Sequence, residues 1–374
     1  MDSKTIVWIK SGGRCAICNR YLLNENFGEV VSIGENAHIV GRSTEPGSPR
    51  GDAPLSESER DNPENLVLLC REDHKIIDKK TLLSLFTVKE LTQMKKRHEA
   101  RIRHLTNLDE NRETAVIRFL AKVRGSVVSI DRSEAAKATV ASEYRIPFYP
   151  ISPTKDGIEI DCQSLANEGS ETYYAAAKEM ISEEIKIFYE AVRKSTIKHI
   201  SVFAFARVPL LVFLGKVLDD TVSVSVYQRH RQTENWVWDN TTPAIDFQFS
   251  SKKEVKTSTE AVLIVNVSGT INLDEIPSEL SNFSVFSIDP VGVSPYVDTI
   301  RNQASLKNFD DLFRKFLGHL EQTNKQIQRL HLFLAVPVSV AVTIGRAINF
   351  DVNPNLTIYE IVDQKRVPTM VLDK

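Results

Sequence analysis

The stretch at positions 199–215 reads HISVFAFARVPLLVFLG, and the stretch at positions 329–345, 130 residues later, reads RLHLFLAVPVSVAVTIG. In each, an apolar run predicts a buried strand, and a proline and an apolar helix start follow it. A phenylalanine precedes a glycine by twelve residues in both: Phe203 and Gly215, then Phe333 and Gly345. This pattern predicts two related βα halves packed together, although any two βα units share some features.

The flanking sequence extends the same pattern. A long helix is predicted before each strand, at Glu171–Lys194 and at Leu306–Arg329. After each glycine a further apolar strand ends in a tyrosine, Tyr227 in the first half and Tyr359 in the second. Helices that alternate with apolar strands are typical of an α/β fold with parallel sheets.

The overall composition is that of a soluble globular protein. The chain has 374 residues, of which 42% are hydrophobic and 26% charged, a length that suggests two or three domains. No run approaches the roughly 18 consecutive apolar residues that a membrane helix needs. The start, MDSKTIVWIK, lacks the apolar core of a secretory signal. We therefore expect a cytoplasmic protein with no membrane partner.

Composition also suggests where the domains divide. Residues 1–105 hold three of the four cysteines and a loop-like stretch from Ser43 to Pro63 that is rich in Ser, Pro and Gly. Residues 106–124 begin with the polar TNLDENRE and are predicted to be a linker. Residues 125–374 carry the βα pattern. The predicted order is a small N-terminal domain, the linker and a large α/β domain.

Three motifs of the N-terminal domain carry chemistry. Cys15-Ala-Ile-Cys18 comes first, Ala37-His38-Ile39 follows, and NLVLLCREDHKIID spans Asn65 to Asp78. In a reducing compartment, cysteines in a Cys-x-x-Cys motif favour metal binding over disulfides. A lone Cys-x-x-Cys would be a weak signal, but three motifs in this order are a specific one.

Together these motifs resemble the HNH (His-Asn-His) endonuclease family, whose pattern is CxxC, a His, and N-L-x-x-L-C-x-x-(C/H)-H. The resemblance covers about residues 10–80 and implies a ββα-metal fold that hydrolyses DNA phosphodiester bonds. It implies that His38 is the general base, that Asn65 orients it through a hydrogen bond, and that His74 is a metal ligand. Taken alone, His38 would more often be a structural histidine.

Two ions are implied. A structural Zn²⁺ would take Cys15, Cys18 and Cys70, with Asp73 at the position where relatives usually have Cys or His. A catalytic divalent ion, Mg²⁺, Mn²⁺ or Ni²⁺, would take His74 and Asp78, which lie four residues apart and so on one helix face. Relatives often have a ligand just before the base. Ala37 stands there in this chain, and Glu35 is a candidate substitute.

A basic strip follows the motif. From Arg71 to Arg103 there are ten Lys or Arg residues against five Asp or Glu, a local net charge of +5 in a chain of net charge −2. Such a strip suits the phosphate backbone of double-stranded DNA. A solvated helix face is the alternative explanation.

The large domain resembles the SAVED domain, through FAFARVPLLVFLGKVLDD, VYQRHRQTENWVW and LHLFLAVPVSVAVTIGRAI. The resemblance covers about residues 125–374 and implies two fused CARF-like, Rossmann-type halves that bind a cyclic oligonucleotide. HNH followed by SAVED is the arrangement of effector nucleases in CBASS anti-phage defence. It implies activation by a cyclic dinucleotide or trinucleotide and assembly into a homo-oligomer on activation.

The ends of the predicted strands suggest where such a ligand would bind, because ligands of open α/β sheets sit beyond the carboxyl ends of strands. Arginines there can pair with phosphates, and aromatic rings can stack on bases. For each Trp taken singly, core packing is the better interpretation. The candidate ligand-binding residues are Arg207, Pro209, Tyr227, Arg229, Arg231, Trp236, Trp238 and Ser339.

Two other functions fit parts of the sequence. The chain could be a restriction-type nuclease whose C-terminal domain reads DNA directly, but residues 106–374 are net acidic. It could instead be a zinc-containing DNA-binding regulator without activity, but His38, Asn65, His74 and Asp78 are all retained. The main expectation is therefore a nuclease controlled by a cyclic nucleotide.

Overall fold

A computed structural model describes residues 1–25, 29–106, 112–148, 158–195, 197–218, 222–362 and 364–374. The chain forms two compact units, Met1–Asp109 and Glu110–Lys374. Within the described ranges, no helix is both long and apolar enough to cross a membrane.

The first unit is small and built around one antiparallel strand pair. Its elements are α1 (Ser3–Lys10), β1 (Leu23–Asn24), β2 (Val31–Ser32), β3 (Gly34–His38), α2 (Glu57–Arg60), β4 (Leu66–Cys70), α3 (Arg71–Ile77) and α4 (Val88–Thr106). Strand β3 pairs with β4 so that Gly34 faces Cys70 and His38 faces Leu66. All five β4 residues, LVLLC, are buried. Since α3 begins directly after β4, these three elements form a β-β-α arrangement.

The first half of the second unit contains a parallel sheet. Its elements are β5 (Glu113–Leu120), α5 (Arg132–Glu143), β6 (Ile146–Phe148), β7 (Ile158–Asp161), α6 (Glu171–Arg193), β8 (His199–Phe205), α7 (Val208–Val217) and β9 (Ser223–Val226). The strand order is β6-β5-β8-β9, and β7 pairs with the later part of β5. Every pairing in this sheet is parallel.

The predicted linker at 106–124 is wrong for its second part. Glu113–Leu120 forms β5, which lies in the interior of the first sheet and is buried from Thr114 onward. The linker is predicted from its polar composition. The polar run continues into the first residue of β5, so composition does not show where the strand begins. Residues 107–111 lie outside the described residues.

The second half contains a six-stranded sheet. Its elements are β10 (Phe247–Lys253), β11 (Glu260–Asn266), β12 (Ser284–Pro290), α8 (Gln303–Thr323), β13 (Arg329–Ala335), α9 (Val338–Ala347), β14 (Asn355–Val362) and β15 (Lys365–Leu372). The order is β10-β12-β11-β13-β14-β15. The four inner strands are parallel, and β10 and β15 pair antiparallel at the edges.

The two halves repeat each other, and the offset of 130 residues read from the sequence is confirmed in the elements. It takes β8 onto β13 and α7 onto α9, residue for residue. In each half a ring on the first strand stacks on the tyrosine of the next: Phe203 on Tyr227 and Phe333 on Tyr359, both with centroids 4.4 Å apart. The duplicated sequence therefore encodes duplicated packing.

Candidate functional site

Four side chains of the first unit form a compact cluster. Cys15 and Cys18 lie on the turn after α1, Cys70 is the N-cap residue of α3, and Asp73 lies in that helix's first turn. Their ligand atoms all lie within 4.8 Å of one another. The Sγ atoms of Cys18 and Cys70 are 3.8 Å apart, and Asp73 Oδ2 lies 3.1 Å from Cys15 Sγ and 3.2 Å from Cys70 Sγ.

These distances fit a zinc ion. Tetrahedral coordination with Zn–S bonds of about 2.3 Å places two sulfurs about 3.8 Å apart. Burial raises the pKa of the Cys15 and Cys70 thiols above the ordinary value of 9.0, so without a metal both are protonated and donate to Asp73. A zinc ion would replace those protons and satisfy the buried sulfurs.

His38, at the end of β3, forms a hydrogen bond with Asp61, a residue that the sequence motifs do not include. Its Nε2 lies 2.9 Å from Asp61 Oδ1, while the side chain remains 24% exposed. Asp61 follows α2, in the segment that was expected to be an irregular loop. Asp61 could not be identified from the sequence, because it is near His38 only in the folded chain.

The side-chain hydrogen bonds of Asn65 go to the backbone and not to the His38 ring, which corrects the expectation that Asn65 orients the base directly. The Asn65 side chain is buried and accepts from Val40 N at 2.9 Å. It donates to Val40 O and to Arg60 O at 2.9 and 2.8 Å. Asn65 therefore fixes the backbone just after His38 and just before Asp61.

His74 and Asp78 converge as their spacing predicts. His74 Nε2 lies 3.3 Å from Asp78 Oδ2, and both side chains are 29% exposed. The other ring nitrogen, Nδ1, lies 2.7 Å from Glu35 Oε2. Hydrogen bonding to Asp78, then to Glu35, raises the pKa of His74 despite its burial.

This arrangement fits a divalent ion held by His74 and Asp78. His74 Nε2 and Asp78 Oδ2 are 3.3 Å apart, close enough for both to bind one ion, while Glu35 is bonded to the other ring nitrogen of His74. Metal-binding histidines usually donate their second N–H to a carboxylate. Glu35 is thus placed as the residue that orients His74, rather than as the substitute ligand suggested by the sequence.

Arg50 joins the elements that carry these groups. Its side chain is buried and donates to Ile39 O at 2.5 Å, Ile77 O at 2.8 Å and Asp78 Oδ1 at 2.5 Å. It thereby connects the end of β3 to the end of α3. A buried arginine with this many acceptors is not recognisable from sequence, since the surrounding SPRGD reads as a turn.

The basic strip lies largely on α4. Lys95 is buried and paired with Glu99, so its charge is not available to a ligand. Arg97 and Arg103 are exposed. Arg101 is also exposed, but its guanidinium bonds Asn19 Oδ1 at 2.5 Å. Part of the strip is thus structural, and part remains open to a polyanion.

In the second unit, Arg207 lies at the carboxyl end of β8, where the sequence placed it, but its guanidinium is occupied. It pairs with Glu168 at 2.8 Å and with Glu360 at 3.0 Å. Burial alone would lower the pKa of Arg207, and the two carboxylates raise it instead. Pro209 is buried in the first turn of α7. The expected phosphate contact of Arg207 therefore competes with two internal ion pairs.

The aromatic candidates lie in the core, which corrects their assignment as ligand-stacking residues. Tyr227, Trp236 and Trp238 are exposed by only 0%, 1% and 3%. Phe203 stacks on Tyr227 and meets Trp236 edge-on at 5.4 Å. For the two tryptophans this agrees with core packing, the better interpretation for each Trp taken singly.

Ser339 is also buried, and it meets the other half of the unit. Its N–H and hydroxyl donate to Gln228 Oε1 at 3.1 and 3.0 Å. Gln228 follows Tyr227, just as Glu360 follows Tyr359, and Glu360 reaches Arg207 at the N-cap of α7. In each half, the residue after the tyrosine thus forms a hydrogen bond with the start of the other half's helix.

Arg229 and Arg231 are the candidates that stay accessible. Arg229 is half-buried and Arg231 is exposed, and the backbone N–H of Arg231 donates to Asp298 Oδ1 at 3.1 Å. Within the described part of the chain, neither guanidinium has an ion-pair partner. These two cations are free to meet an anionic ligand.

This unit is a two-halved α/β fold with helix starts at the carboxyl ends of parallel strands, the position where ligands of open α/β sheets bind. Residues 181–371 match the family model described as "SMODS-associated and fused to various effectors sensor domain", or SAVED. The chain belongs to the SAVED family. No curated protein matches the sequence.

Solved structures of similar fold include Cap4 SAVED/CARF-domain containing receptors. Two from Acinetobacter baumannii, with the cyclic trinucleotides 2'3'3'-cAAA and 3'3'3'-cAAA, are each 14% identical, with TM-scores of 0.47 and 0.48. The matches cover 82% and 81% of this chain, but only 62% and 64% of those receptors. A Moraxella osloensis receptor is 13% identical over 86% of this chain and 71% of its own, with a TM-score of 0.42.

Proposed function

We propose that this chain is a CBASS effector in which a cyclic oligonucleotide, bound by the SAVED domain, switches on a DNA endonuclease in residues 1–105. One observation supports the nuclease above all. The β-β-α arrangement of β3, β4 and α3 brings a histidine base candidate, a His–carboxylate pair and a Cys₃Asp cluster into one small unit. The family description of SAVED as a sensor fused to effectors supports the pairing with such a unit.

His38 would act as the general base that takes a proton from the attacking water. It is partly exposed at the end of β3, where water can reach it. When bound at His74 and Asp78, a divalent ion such as Mg²⁺ would stabilise charge on the phosphate and the leaving oxygen. Glu35 and Arg50 would hold His74 and Asp78 in place, and a zinc ion at the Cys₃Asp cluster would hold the fold.

Double-stranded DNA is the proposed substrate. The exposed cations of α4, among them Arg97 and Arg103, would attract the phosphate backbone without reading its sequence. Arg229 and Arg231 would pair with phosphates of the activator on the second unit. Ligand binding would favour an active homo-oligomer, a population shift that requires tighter binding to the active state.

The test uses the purified full chain, supercoiled plasmid DNA, Mg²⁺ and a panel of cyclic dinucleotides and trinucleotides that includes both cAAA isomers. We expect cleavage only with an activator. The His38→Ala variant should lose about 10²–10⁴-fold in rate, the usual contribution of a general base. His319→Gln, on α8 of the sensor unit, serves as the matched histidine control.

Other outcomes would support the alternatives. Full cleavage without any nucleotide would favour a restriction-type nuclease that reads DNA directly. DNA binding without cleavage under every condition would favour an inactive zinc regulator. His38→Ala cleaving within tenfold of the wild type would contradict the assignment of the base.

A further inference from the structure

A histidine base needs one ring nitrogen free of its proton and facing the water, so the other nitrogen must hold the proton. The family pattern gives the orienting task to the asparagine, here Asn65. In this chain the Asn65 side chain bonds Val40 and Arg60 instead. The group that orients the His38 ring must therefore be another residue.

We propose that Asp61 is the positioning residue for His38, holding the proton on Nε2 and leaving Nδ1 as the atom that accepts a proton from water. Asp61 Oδ1 lies 2.9 Å from His38 Nε2. A carboxylate can only accept a hydrogen bond, so in the neutral ring Nε2 must be the donor. The catalytic part of this inference rests on the proposed nuclease function.

The ionised state of Asp61 fits this role. The hydrogen bond with His38 is the main cause that lowers the pKa of Asp61, and Arg42 lies 3.8 Å from its second oxygen. Asp61 is therefore a carboxylate at neutral pH and remains an acceptor throughout. A charged acceptor also stabilises the imidazolium that forms once His38 has taken the proton.

The backbone around Asp61 is fixed on both sides. Arg60 is only 1% exposed, and its guanidinium donates to the carbonyl oxygens of Gly41 and Gly51. Asn65 bonds Arg60 O and both backbone groups of Val40. Asn65 thus holds the backbone after His38 next to the backbone before Asp61. Its effect on the His38 ring is indirect, through the position of Asp61.

The contact itself contributes little to folding, which makes it testable. Asp61 is 60% exposed, and exposed ion pairs stabilise proteins by only about 0–1 kcal/mol. Replacing Asp61 should leave the fold and bound zinc unchanged. A fall in rate would then report orientation of the base and not loss of structure.

The kinetic test compares Asp61→Asn, Asp61→Glu and a control in the full chain with activator and Mg²⁺. The control is Glu57→Gln, which changes an exposed carboxylate at the start of α2, four residues before Asp61. We expect Asp61→Asn to lower the cleavage rate at saturating DNA about tenfold or more. That is less than the roughly 10²–10⁴-fold loss on removal of the base. The KM for DNA should hardly change, and Asp61→Glu should recover part of the rate.

A double mutant identifies the route of the effect. In the His38→Ala background, Asp61→Asn should cause no further loss, because Asp61 acts only through the ring. A further tenfold loss there, or wild-type activity for Asp61→Asn alone, would overturn the proposal.

A second measurement does not depend on cleavage. Long-range ¹H–¹⁵N NMR of ¹⁵N-histidine-labelled protein reports which ring nitrogen carries the proton, and the His38→Ala spectrum assigns the signals. We expect the Nε2–H form in the wild type and a changed mixture in Asp61→Asn. An Nδ1–H ring, or identical spectra for the two, would overturn the contact. If the two spectra differ as expected but no activator yields cleavage, the contact between Asp61 and His38 is confirmed. The nuclease function and the catalytic role of Asp61 are then both wrong.

Discussion

Gly215 and Gly345 lie against each other where α7 crosses α9, and the two helices meet there through their backbones. A Cβ added to Gly215 would lie 2.9 Å from both Arg346 N and Gly345 Cα, and closer still to the carbonyl oxygen of Val342. A Cβ on Gly345 would meet Val212 O and Lys216 N in the same way. Because 130 residues separate 212 from 342 and 216 from 346, the crossing has local two-fold symmetry.

Gly215→Ala should therefore destabilise the SAVED domain. The methyl group meets backbone atoms that cannot rotate away, and overpacking of this kind typically costs about 1–3 kcal/mol. The measurement is the thermal unfolding midpoint by calorimetry. Gly318→Ala, within α8, is the control, because its Cβ would meet no atom within 4 Å. That variant should be neutral or more stable, and equal midpoints for both variants would contradict the close crossing.

Removing a cysteine of the Cys₃Asp cluster should unfold the first unit. We expect about one zinc per chain in the wild type and little in Cys70→Ser, because zinc binding supplies folding free energy to a small unit. Elemental analysis and limited proteolysis of residues 1–80 provide the readouts. Cys162→Ala is the control, because Cys162 is buried in the second unit, and this variant should keep the zinc of the first unit. A wild-type protein without zinc would contradict the cluster's assignment.

Acid should destabilise the first unit partly through His98 on α4. Its Nε2 bonds Ser11 O at 3.1 Å, and Nδ1 lies 3.2 Å from the Arg101 guanidinium. Burial lowers the pKa of His98 below the ordinary 6.5, so the unfolded chain takes up a proton that the folded chain does not. Stability from this source is present above pH 6.5 and is lost as the pH falls below it.

The check is the unfolding midpoint of the first unit between pH 7.5 and 5.5, for wild type and for His98→Gln. The wild type should lose more stability over this range, because the glutamine does not titrate. Acid effects on the cysteine cluster are common to both proteins and cancel in the difference. Parallel pH profiles would contradict the prediction, because they would show that folding leaves the pKa of His98 unchanged.

Replacing Arg229 and Arg231 together with Ala should raise the activator concentration at half-maximal cleavage by at least about tenfold. Each charge-assisted contact with a phosphate contributes roughly 1.5–3 kcal/mol, and 1.4 kcal/mol corresponds to tenfold in affinity. Saturating activator should restore most of the rate, since the first unit is unchanged. Lys252→Ala with Lys256→Ala removes the same charge from exposed positions of the domain. Identical half-activation points in all three proteins would place the ligand elsewhere.

Much of the fold was predictable because the duplicated stretch carries its own periodicity. The apolar runs, each followed by a proline, and the glycines twelve residues after a phenylalanine are enough to predict β8, α7, β13 and α9 from the sequence. Strand β5 was not predicted, because its first residue continues a polar run. The spacing gave the positions of Gly215 and Gly345 but not their contact, which depends on the crossing of two helices distant in sequence.

The candidate site divides in the same way. Cys15, Cys18, Cys70 and Asp73, like His74 and Asp78, were found because local motifs fix ligand spacing. Asp61, Arg50 and Arg60 were missed, because they act through contacts with backbone or side chains brought close by the loop between β3 and α2. The two tryptophans follow the core-packing interpretation that each favours when taken singly, since a ring beside a strand end can turn inward onto a partner such as Phe203.

The contacts of Gln228 with Ser339 and of Glu360 with Arg207 have a consequence for how such a domain evolves. In a dimer of identical chains, any substitution at one helix start is repeated at the other. Here both copies lie on one chain, so one junction holds an amide and a hydroxyl while the other holds a guanidinium between two carboxylates. A substitution at one helix start therefore leaves the other unchanged, and the two junctions can diverge independently while the fold around them stays duplicated.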